Sequence, residues 1–251
     1  MKIIAIKTHK IEVTDQLQEV LDKYVLAEEE SIIAVTSKIV SVTQGMMISK
    51  DKIDKRSLIY QEADKVLKGE SEHDTLLTIK NGILIPSAGI DESNADGTYI
   101  LYPKDIQKIS NEIWSYLRNK HNLKRLGVIV TDSHTTIMRR GVSGIALSWC
   151  GFEPLYSYIG KPDIYNNPLK MTQLNILDSL ASAAVFNMGE GNEQTPIAII
   201  KEAPKISFLD RVPNLEEQTA INIPLEEDIY SPLLKVATWT KLKSACNSVK
   251  K

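Results

Sequence analysis

The stretch Leu126-Gly127-Val128-Ile129-Val130-Thr131-Asp132-Ser133 decides how the fold is read. Five apolar or small residues in a row, with β-branched side chains prominent, read as a strand buried on both faces. The run then ends on a hydroxyl, a carboxylate and a second hydroxyl. A buried strand that delivers polar groups at its C-terminal end is a typical place for a site. A second stretch behaves alike. Gly82-Ile83-Leu84-Ile85 reads as a buried strand and runs into Pro86-Ser87-Ala88-Gly89-Ile90-Asp91-Glu92-Ser93-Asn94-Ala95-Asp96-Gly97. Ser31-Ile32-Ile33-Ala34-Val35-Thr36 is a third buried strand, followed by Ser37-Lys38-Ile39-Val40-Ser41-Val42-Thr43-Gln44-Gly45, a polar-decorated segment closing on glycine.

Outward from these strands, residues 2–13 alternate roughly and read as one strand or two short ones. Thr14 or Asp15 is placed to cap a helix carrying Leu17, Val20, Leu21 and Val25 at helical spacing. Residues 50–75 read as charged and mostly helical, with Ile59, Ala63, Val66 and Leu67 as the apolar stripe. Asn81-Gly82, between 76–80 and 83–85, is the strongest hairpin signal in the chain. Asp105 opens a helix with Ile106, Ile109, Ile113, Trp114 and Leu117 inward. Residues 144–149 read as a buried strand or short helix, and 153–172, with Pro154, Gly160, Pro162 and Pro168, as a long ordered loop. Residues 174–185 form a buried helix ending at Met188-Gly189-Glu190-Gly191. Residues 196–200 read as a short parallel strand, and 228–246 as a last helix. The irregular mixture of strands and helices makes the fold class α+β rather than a doubly wound sheet.

Length and composition bound the rest. The chain has 251 residues, 43% hydrophobic and 25% charged, enough for a full core. No repeat, low-complexity segment or clean linker divides it. Residues 1–251 therefore read as a single unit, with a larger lobe (1–130 and 190–251) and a smaller lobe (131–189) as the alternative division. A net charge of -2 and no basic cluster interleaved with aromatics argue against a nucleic-acid partner. No apolar run reaches ~18 residues, so no membrane span is expected. The start Met1-Lys2-Ile3-Ile4-Ala5-Ile6-Lys7 lacks the features of a signal peptide. The two cysteines, Cys150 and Cys246, suit a reducing cytoplasm, and the four histidines show no zinc-ligand spacing.

The chemistry rests first on Asp91 and Asp132. Two buried strands that each deliver an aspartate suggest a hard-cation site built from oxygen ligands. The bland alternative is turn chemistry. In Met188-Gly189-Glu190-Gly191-Asn192, two glycines around an acid would let backbone amides approach a phosphate, with Glu190 on its metal. A glycine C-cap explains the same residues without a ligand. Arg139-Arg140-Gly141, shortly after Asp132, suits carboxylate or phosphate recognition, and equally a solvated turn. Ser37-Lys38 would bind an anion but lacks a full P-loop pattern. His134 is a base or substrate contact, or structural. Cys150 reads as buried packing.

Taken in order, these pieces resemble the coenzyme F420-0:L-glutamate ligase family, also called the F420-0:gamma-glutamyl ligases. The resemblance covers about residues 30–203. It rests on residues 37–45, Ala88-Gly89-Ile90-Asp91-Glu92-Ser93-Asn94, Val130-Thr131-Asp132-Ser133, Arg139-Arg140-Gly141-Val142, Ile159-Gly160-Lys161-Pro162-Asp163-Ile164-Tyr165 and Met188-Gly189-Glu190-Gly191. It implies an intertwined homodimer of an unusual α+β fold, with mixed sheets and packed helices. It also implies an enzyme that joins L-glutamate to a deazaflavin coenzyme precursor, F420-0, through an amide. GTP is the implied co-substrate, and Mg²⁺ or Mn²⁺, two per site, the implied metals. Asp91 and Asp132 would bind one metal, and Ser133 and Glu190 would serve the second. Asn94, Ser37, Lys38 and the loop of Met188, Gly189 and Gly191 would contact the nucleotide, with residues 8–11 nearby. Arg139 or Arg140 would hold a substrate carboxylate or phosphate.

The chain departs from the family pattern in four places. Thr135 and Thr136 stand where many relatives carry Gly-Arg, Val42 where a lysine is frequent, and Gln44 where an acid is frequent. With the metal acids retained, the departures imply kept chemistry with a changed acceptor or altered nucleotide contacts. Two alternatives to F420-0 ligation stay open: the same chemistry on tetrahydrofolate, and a degenerate nucleotide-binding homologue without catalysis.

Overall fold

The computed structural model describes residues 1–69 and 75–241. In chain order the elements are β1 (Lys2–Ile6), α1 (Leu17–Tyr24), β2 (Ser31–Thr36), α2 (Ser37–Thr43), β3 (Met47–Ser49), α3 (Lys55–Glu62), β4 (Lys65–Leu67), β5 (Leu77–Lys80) and β6 (Ile83–Pro86). Then come β7 (Thr98–Ile100), α4 (Ile106–Lys120), β8 (Leu126–Thr135), β9 (Val142–Cys150), β10 (Leu155–Ser157), β11 (Gln173–Asn175), α5 (Ile176–Met188) and β12 (Ile197–Lys201). The last are α6 (Leu215–Thr219), α7 (Ser231–Val236) and β13 (Trp239–Lys241). The mixture of mostly antiparallel sheets and helices agrees with the α+β expectation. Among the described residues no helix is long and apolar enough to cross a membrane.

The chain divides into two compact units, residues 1–45 with 103–221, and residues 46–102 with 222–251. The chain crosses between the units three times, so no single linker marks the division. None of these boundaries coincides with the 130/131 and 189/190 divisions considered from the sequence.

In the first unit, the described residues form a five-stranded sheet in the order β1-β12-β2-β8-β9. Only β2 and β8 run parallel, in register from Ser31↔Leu126 to Thr36↔Thr131. The alternation of side chains along a strand explains the continuous apolar runs. Ile33, Val35, Val128, Val130, Ile197 and Ile199 join one core cluster with Val20 and Leu21 of α1, Val40 of α2, and Ile113, Trp114 and Leu117 of α4. Ile32, Ala34, Ile129, Ala198 and Ile200 join the other with Phe152 and with Leu177, Leu180, Ala181, Ala184 and Val185 of α5. α5 approaches β9 closely at Gly144, where a Cβ would fall 2.4 Å from the Ala181 carbonyl oxygen.

In the second unit, the described residues form a four-stranded antiparallel sheet, β13-β4-β5-β6, and a two-stranded ribbon of β3 and β7. Leu58 and Ile59 of α3 pack with Val66, Leu76, Ala88, Ile90, Tyr99 and Leu101. The hairpin at Asn81-Gly82 forms as expected, with φ values of 52° and 77° that match a type I′ turn.

Several expectations are corrected. Residues 50–69 are not mostly helical: α3 stops at Glu62, and Val66 and Leu67 belong to strand β4, while residues 70–74 of that expectation lie outside the described residues. β12 is antiparallel to both its neighbours, β1 and β2. Residues 82–85 are not fully buried, since Gly82 is exposed and only Ile85 of that run is buried. The last helix is α7 alone, followed by β13, and the part of that expectation beyond Lys241 lies outside the described residues. Asp15 does not cap α1. Its carboxylate accepts the Glu12 N–H at 2.7 Å, and Gln16 is the N-cap.

Candidate functional site

Register brings the first-unit candidates together. Thr36 and Thr131 are paired across the parallel strands, so Ser37 and Asp132 follow side by side at one end of the parallel pair; β8 does not end at Val130 as expected but carries Asp132 and Ser133 on to Thr135, paired with β9. Ser37 starts α2 and is buried, and Lys38 beside it is partly exposed. β12 runs antiparallel to β2, so its N-terminal end lies at this same end. The Thr36 N–H donates to the Pro196 carbonyl at 3.0 Å, and the Thr8 N–H to the Gln194 carbonyl at 2.9 Å. Four segments therefore converge at one end of the sheet: residues 8–11, Ser37-Lys38, Asp132-Ser133 and the loop from Met188 to Pro196.

A β-bulge sharpens the strand end. The β8–β9 register shifts between Val130↔Ser148 and Thr131↔Ala146. A bulge re-aims the side chains that follow it and is over-represented beside active sites. Asp132 and Ser133 come next, both partly buried and opposite Ile145 and Gly144. The His134 Nδ1 lies 3.1 Å from the Ser143 carbonyl. A carbonyl only accepts, so Nδ1 carries the proton and the imidazole clasps the β8–β9 hairpin. Arg139 and Arg140 are exposed at the hairpin tip, and neither has an ion pair among the described residues.

The loop after α5 combines the two readings offered for its glycines. Gly189 caps α5 with φ 80°, its N–H donating to the Val185 carbonyl at 2.9 Å. A Cβ there would meet the Glu193 carboxylate carbon at 2.5 Å. That carboxylate accepts the Gly191 N–H at 2.8 Å. An internal anion thus lies where the sequence suggested a phosphate would approach. Glu193 escaped the sequence reading, although its position two residues after Gly191 suits such a local bond. Met188 is buried and Glu190 exposed.

In the second unit, Asp91 and Asn94 sit in a loop built on left-handed backbone. Ser87, Ala88 and Gly89 have φ of 54°, 55° and 72°, and Asn94 has φ 54°. Gly89 is required, because a Cβ would stand 2.3 Å from the Tyr102 ring. Asp91 exchanges both backbone bonds with Ile100, at 3.0 and 2.9 Å, and its carboxylate accepts the Ser93 N–H at 2.7 Å. The turn chemistry is therefore present at Asp91. Glu92 is committed to Lys50 at 2.7 Å and Lys55 at 2.5 Å, and these ammonium groups hold its carboxyl below the usual range.

Donor chemistry at the first-unit sheet end is all oxygen: the carboxylates of Asp132 and Glu190 and the hydroxyl of Ser133. That set fits a hard divalent cation rather than zinc. Among the described residues no three His, Cys, Asp or Glu side chains form a group that would by itself hold a metal. Cys150 is a buried thiol that burial pushes up to about 12, so it is inert packing, as expected. Cys246 lies outside the described residues.

Comparison with known proteins agrees with the resemblance. A family model described as F420-0:Gamma-glutamyl ligase matches residues 5–202. A coenzyme F420:L-glutamate ligase of Methanopyrus kandleri is 30% identical over 210 residues, covering 76% of this chain and 82% of that protein. The protein of the same name from Methanococcus maripaludis strain C6 is 31% identical over 204 residues, covering 75% and 82%. The one from Methanocaldococcus jannaschii is 30% identical over 204 residues, covering 74% and 81%. The matched span includes β2, β8, β9 and β12 of the five-stranded sheet, the end of β1 and every candidate residue, and the chain belongs to the F420-0:gamma-glutamyl ligase family.

Proposed function

We propose that this protein is a GTP- and divalent-metal-dependent ligase that joins L-glutamate through an amide bond to the coenzyme precursor F420-0. The observation that carries the reading is the parallel β2–β8 register, which sets Ser37-Lys38 and Asp132-Ser133 at one end of a buried sheet beside the 188–196 loop. The family's description and the relatives' names support the acceptor and the amino acid.

Amide formation from a carboxylate needs an activated acyl group. In the proposed route an acceptor carboxylate oxygen attacks the γ-phosphorus of GTP, GDP leaves, and an acyl phosphate forms. The glutamate amine then loses a proton, attacks the acyl carbon and expels phosphate. Asp132, Ser133 and Glu190 would hold Mg²⁺ or Mn²⁺, which when bound offsets charge on the transferring phosphoryl group. Asp91 is proposed as a metal ligand on the family resemblance alone. Ser37 and Lys38 would contact phosphate oxygens and Asn94 the nucleotide; Gly191 would offer its N–H once Glu193 swings away, and Gly189, whose own N–H stays bonded to Val185, would leave room for the nucleotide to approach. Met188 anchors that loop in the core. Arg139 or Arg140 would clamp a substrate carboxylate bidentately, and His134 is left with Nε2 as a proton acceptor. A homodimer is part of the proposal. The exposed apolar side chains of Met138, Ile164, Met171 and Phe186 on the first unit support it.

Phosphate release is measured with L-glutamate, GTP or ATP, Mg²⁺ or Mn²⁺, and either F420-0 or tetrahydrofolate monoglutamate, with products weighed by mass spectrometry. A product heavier by one glutamyl unit from F420-0 with GTP is the expected result. Such a product from the folate alone would transfer the same chemistry to the other acceptor. No turnover with either acceptor would leave the non-catalytic homologue as the reading. Light scattering at micromolar concentration tests the dimer, and a monomer would remove it.

A further inference from the structure

The motif Ile159-Gly160-Lys161-Pro162-Asp163-Ile164-Tyr165 has no part in the sheet-end site. Residues 158–172 make an excursion between β10 and β11 that backbone bonds fix closely. The Tyr158 N–H donates to the Thr172 carbonyl, Gly160 to Leu169, Lys161 to Tyr158 and Leu169 to Lys161, at 2.8 to 3.0 Å. The Asp163 carboxylate accepts the N–H groups of Tyr165 and Asn167, both at 2.8 Å. Asp163 is therefore accounted for by loop closure. Lys161 is not.

The Lys161 ammonium lies 3.9 Å from the Tyr156 ring centroid and 5.4 Å from that of Tyr158, and it donates to the Tyr156 hydroxyl at 2.7 Å. Lys205 reaches the same two rings from another segment, at 5.3 and 5.7 Å. The rings meet edge to face, with centroids 5.0 Å apart. Two ammonium groups thus share one aromatic pair, although like charges repel. Among the described residues neither lysine has a carboxylate partner. Lys205 also holds φ at 64°, a left-handed value that is costly for a residue with a side chain. Its segment is pinned by the Glu153 N–H bond to the Ser207 carbonyl at 2.9 Å and by the Phe152↔Phe208 bridge. The fold holds two cations together, at backbone strain, with no carboxylate partner among the described residues. The Tyr156 hydroxyl accepts from Lys161, so its own proton is left to donate outward. Both lysines hold its acidity above that of an ordinary phenol, Lys161 first.

The cluster is separate from the sheet-end site. β9 ends at Cys150, opposite Val128 near the start of β8, so the chain leaves the sheet at the end away from Asp132. α5 begins there, its Ile176 N–H bonded to the Pro154 carbonyl at 3.1 Å, and finishes at Gly189. Its 13 residues span ~20 Å at the helical rise.

We propose that Lys161, Lys205 and the Tyr156 hydroxyl form a binding site for an oxyanion, a phosphate or a carboxylate pair, at the far end of α5 from the sheet-end site. The full chain carrying ¹³C-labelled tyrosine rings is titrated with inorganic phosphate and, separately, with tri-γ-L-glutamate, each against chloride at matched ionic strength. The expected result is saturable shifts of the Tyr156 and Tyr158 ring resonances with at least one of the two anions and none with chloride. Lys161→Met and Lys205→Met, which keep the stem and remove the charge, each weaken that binding about tenfold. The anion that saturates at the lower concentration identifies the source, a phosphate ester or a carboxylate chain. Absence of saturation with both anions in the wild-type chain overturns the proposal, as does binding that the double variant leaves unchanged. The wild-type titration decides the matter even where a variant folds poorly.

Discussion

The first unit covers its sheet on both faces, with α1, α2 and α4 on one side and α5 on the other, whereas the core of the second unit is one smaller cluster built around α3. The difference shows in where each unit keeps its polar groups. Strands buried on both faces leave room for carboxylates and hydroxyls only past the doubly covered span: Ser37 follows β2, and Asp132 and Ser133 lie in the partly buried last part of β8, which pairs with β9 beyond the end of β2. The second unit instead carries Asp91 and Asn94 in a loop held by a run of left-handed residues, where the aspartate also closes a turn. The proposed role of Asp132 thus falls on a strand of the large sheet, and that of Asp91 in a loop whose turn it also closes.

That contrast is open to direct attack. The largest expected effect is at Asp132: Asp132→Ala should lower turnover by about 10³-fold, ~4 kcal/mol, as for loss of a main electrostatic group, in a chain that circular dichroism shows still folded. Turnover within tenfold of the wild type would remove Asp132 from the proposed site. Next comes the core. Phe152→Ala should cost about 4 kcal/mol by denaturant unfolding and Leu58→Ala about 3 kcal/mol, since both side chains are fully buried and leave cavities. Asp91→Ala should lower turnover and also cost about 1 kcal/mol of stability, because the Ser93 N–H loses its acceptor. Lost turnover with full stability would mean that the turn bond is incidental.

The smallest effect is in acid. The Arg211 guanidinium, at 2.6 and 2.5 Å, holds Glu217 down to about 2, below its ordinary value of 4.5. A depressed carboxyl contributes stability above its unfolded value and loses it as pH falls through the folded one. The contribution should thus be full above about pH 4.5 and fade as pH approaches about 2. Lys50 and Lys55 act on Glu92 in the second unit in the same direction. All these groups are at least partly exposed, so the effect is small. Stability measured against pH should flatten in Glu217→Gln, and an unchanged curve would remove the pair from the account.

The sequence showed most clearly what local patterns determine. The run 126–130 announced a strand buried on both faces, and Asn81-Gly82 announced its hairpin, because each signal sits within a few adjacent residues. Direction is not local. The run 196–200 is as apolar as a parallel strand, and only pairing with β1 and β2 shows it to be antiparallel. Val66 and Leu67 fell at helical spacing from Ile59 and Ala63, yet the helix ends at Glu62 because Ala63 is extended, with ψ 146°. At the candidate site, the residue types at Asp132 and Ser133 were legible, and so was the glycine cap at Gly189. The return of Glu193 onto Gly191 and the meeting of Lys161 with Lys205 were not, since both depend on backbone geometry rather than on periodicity.

The most direct measurement is Mn²⁺ binding by electron paramagnetic resonance in the presence of GTP, comparing the wild-type chain with Asp132→Asn and Glu190→Gln. The account predicts that the wild type binds Mn²⁺ and that each variant, still folded, binds it at least tenfold more weakly. Equal Mn²⁺ affinity in all three proteins would contradict a metal-dependent site at this end of the five-stranded sheet.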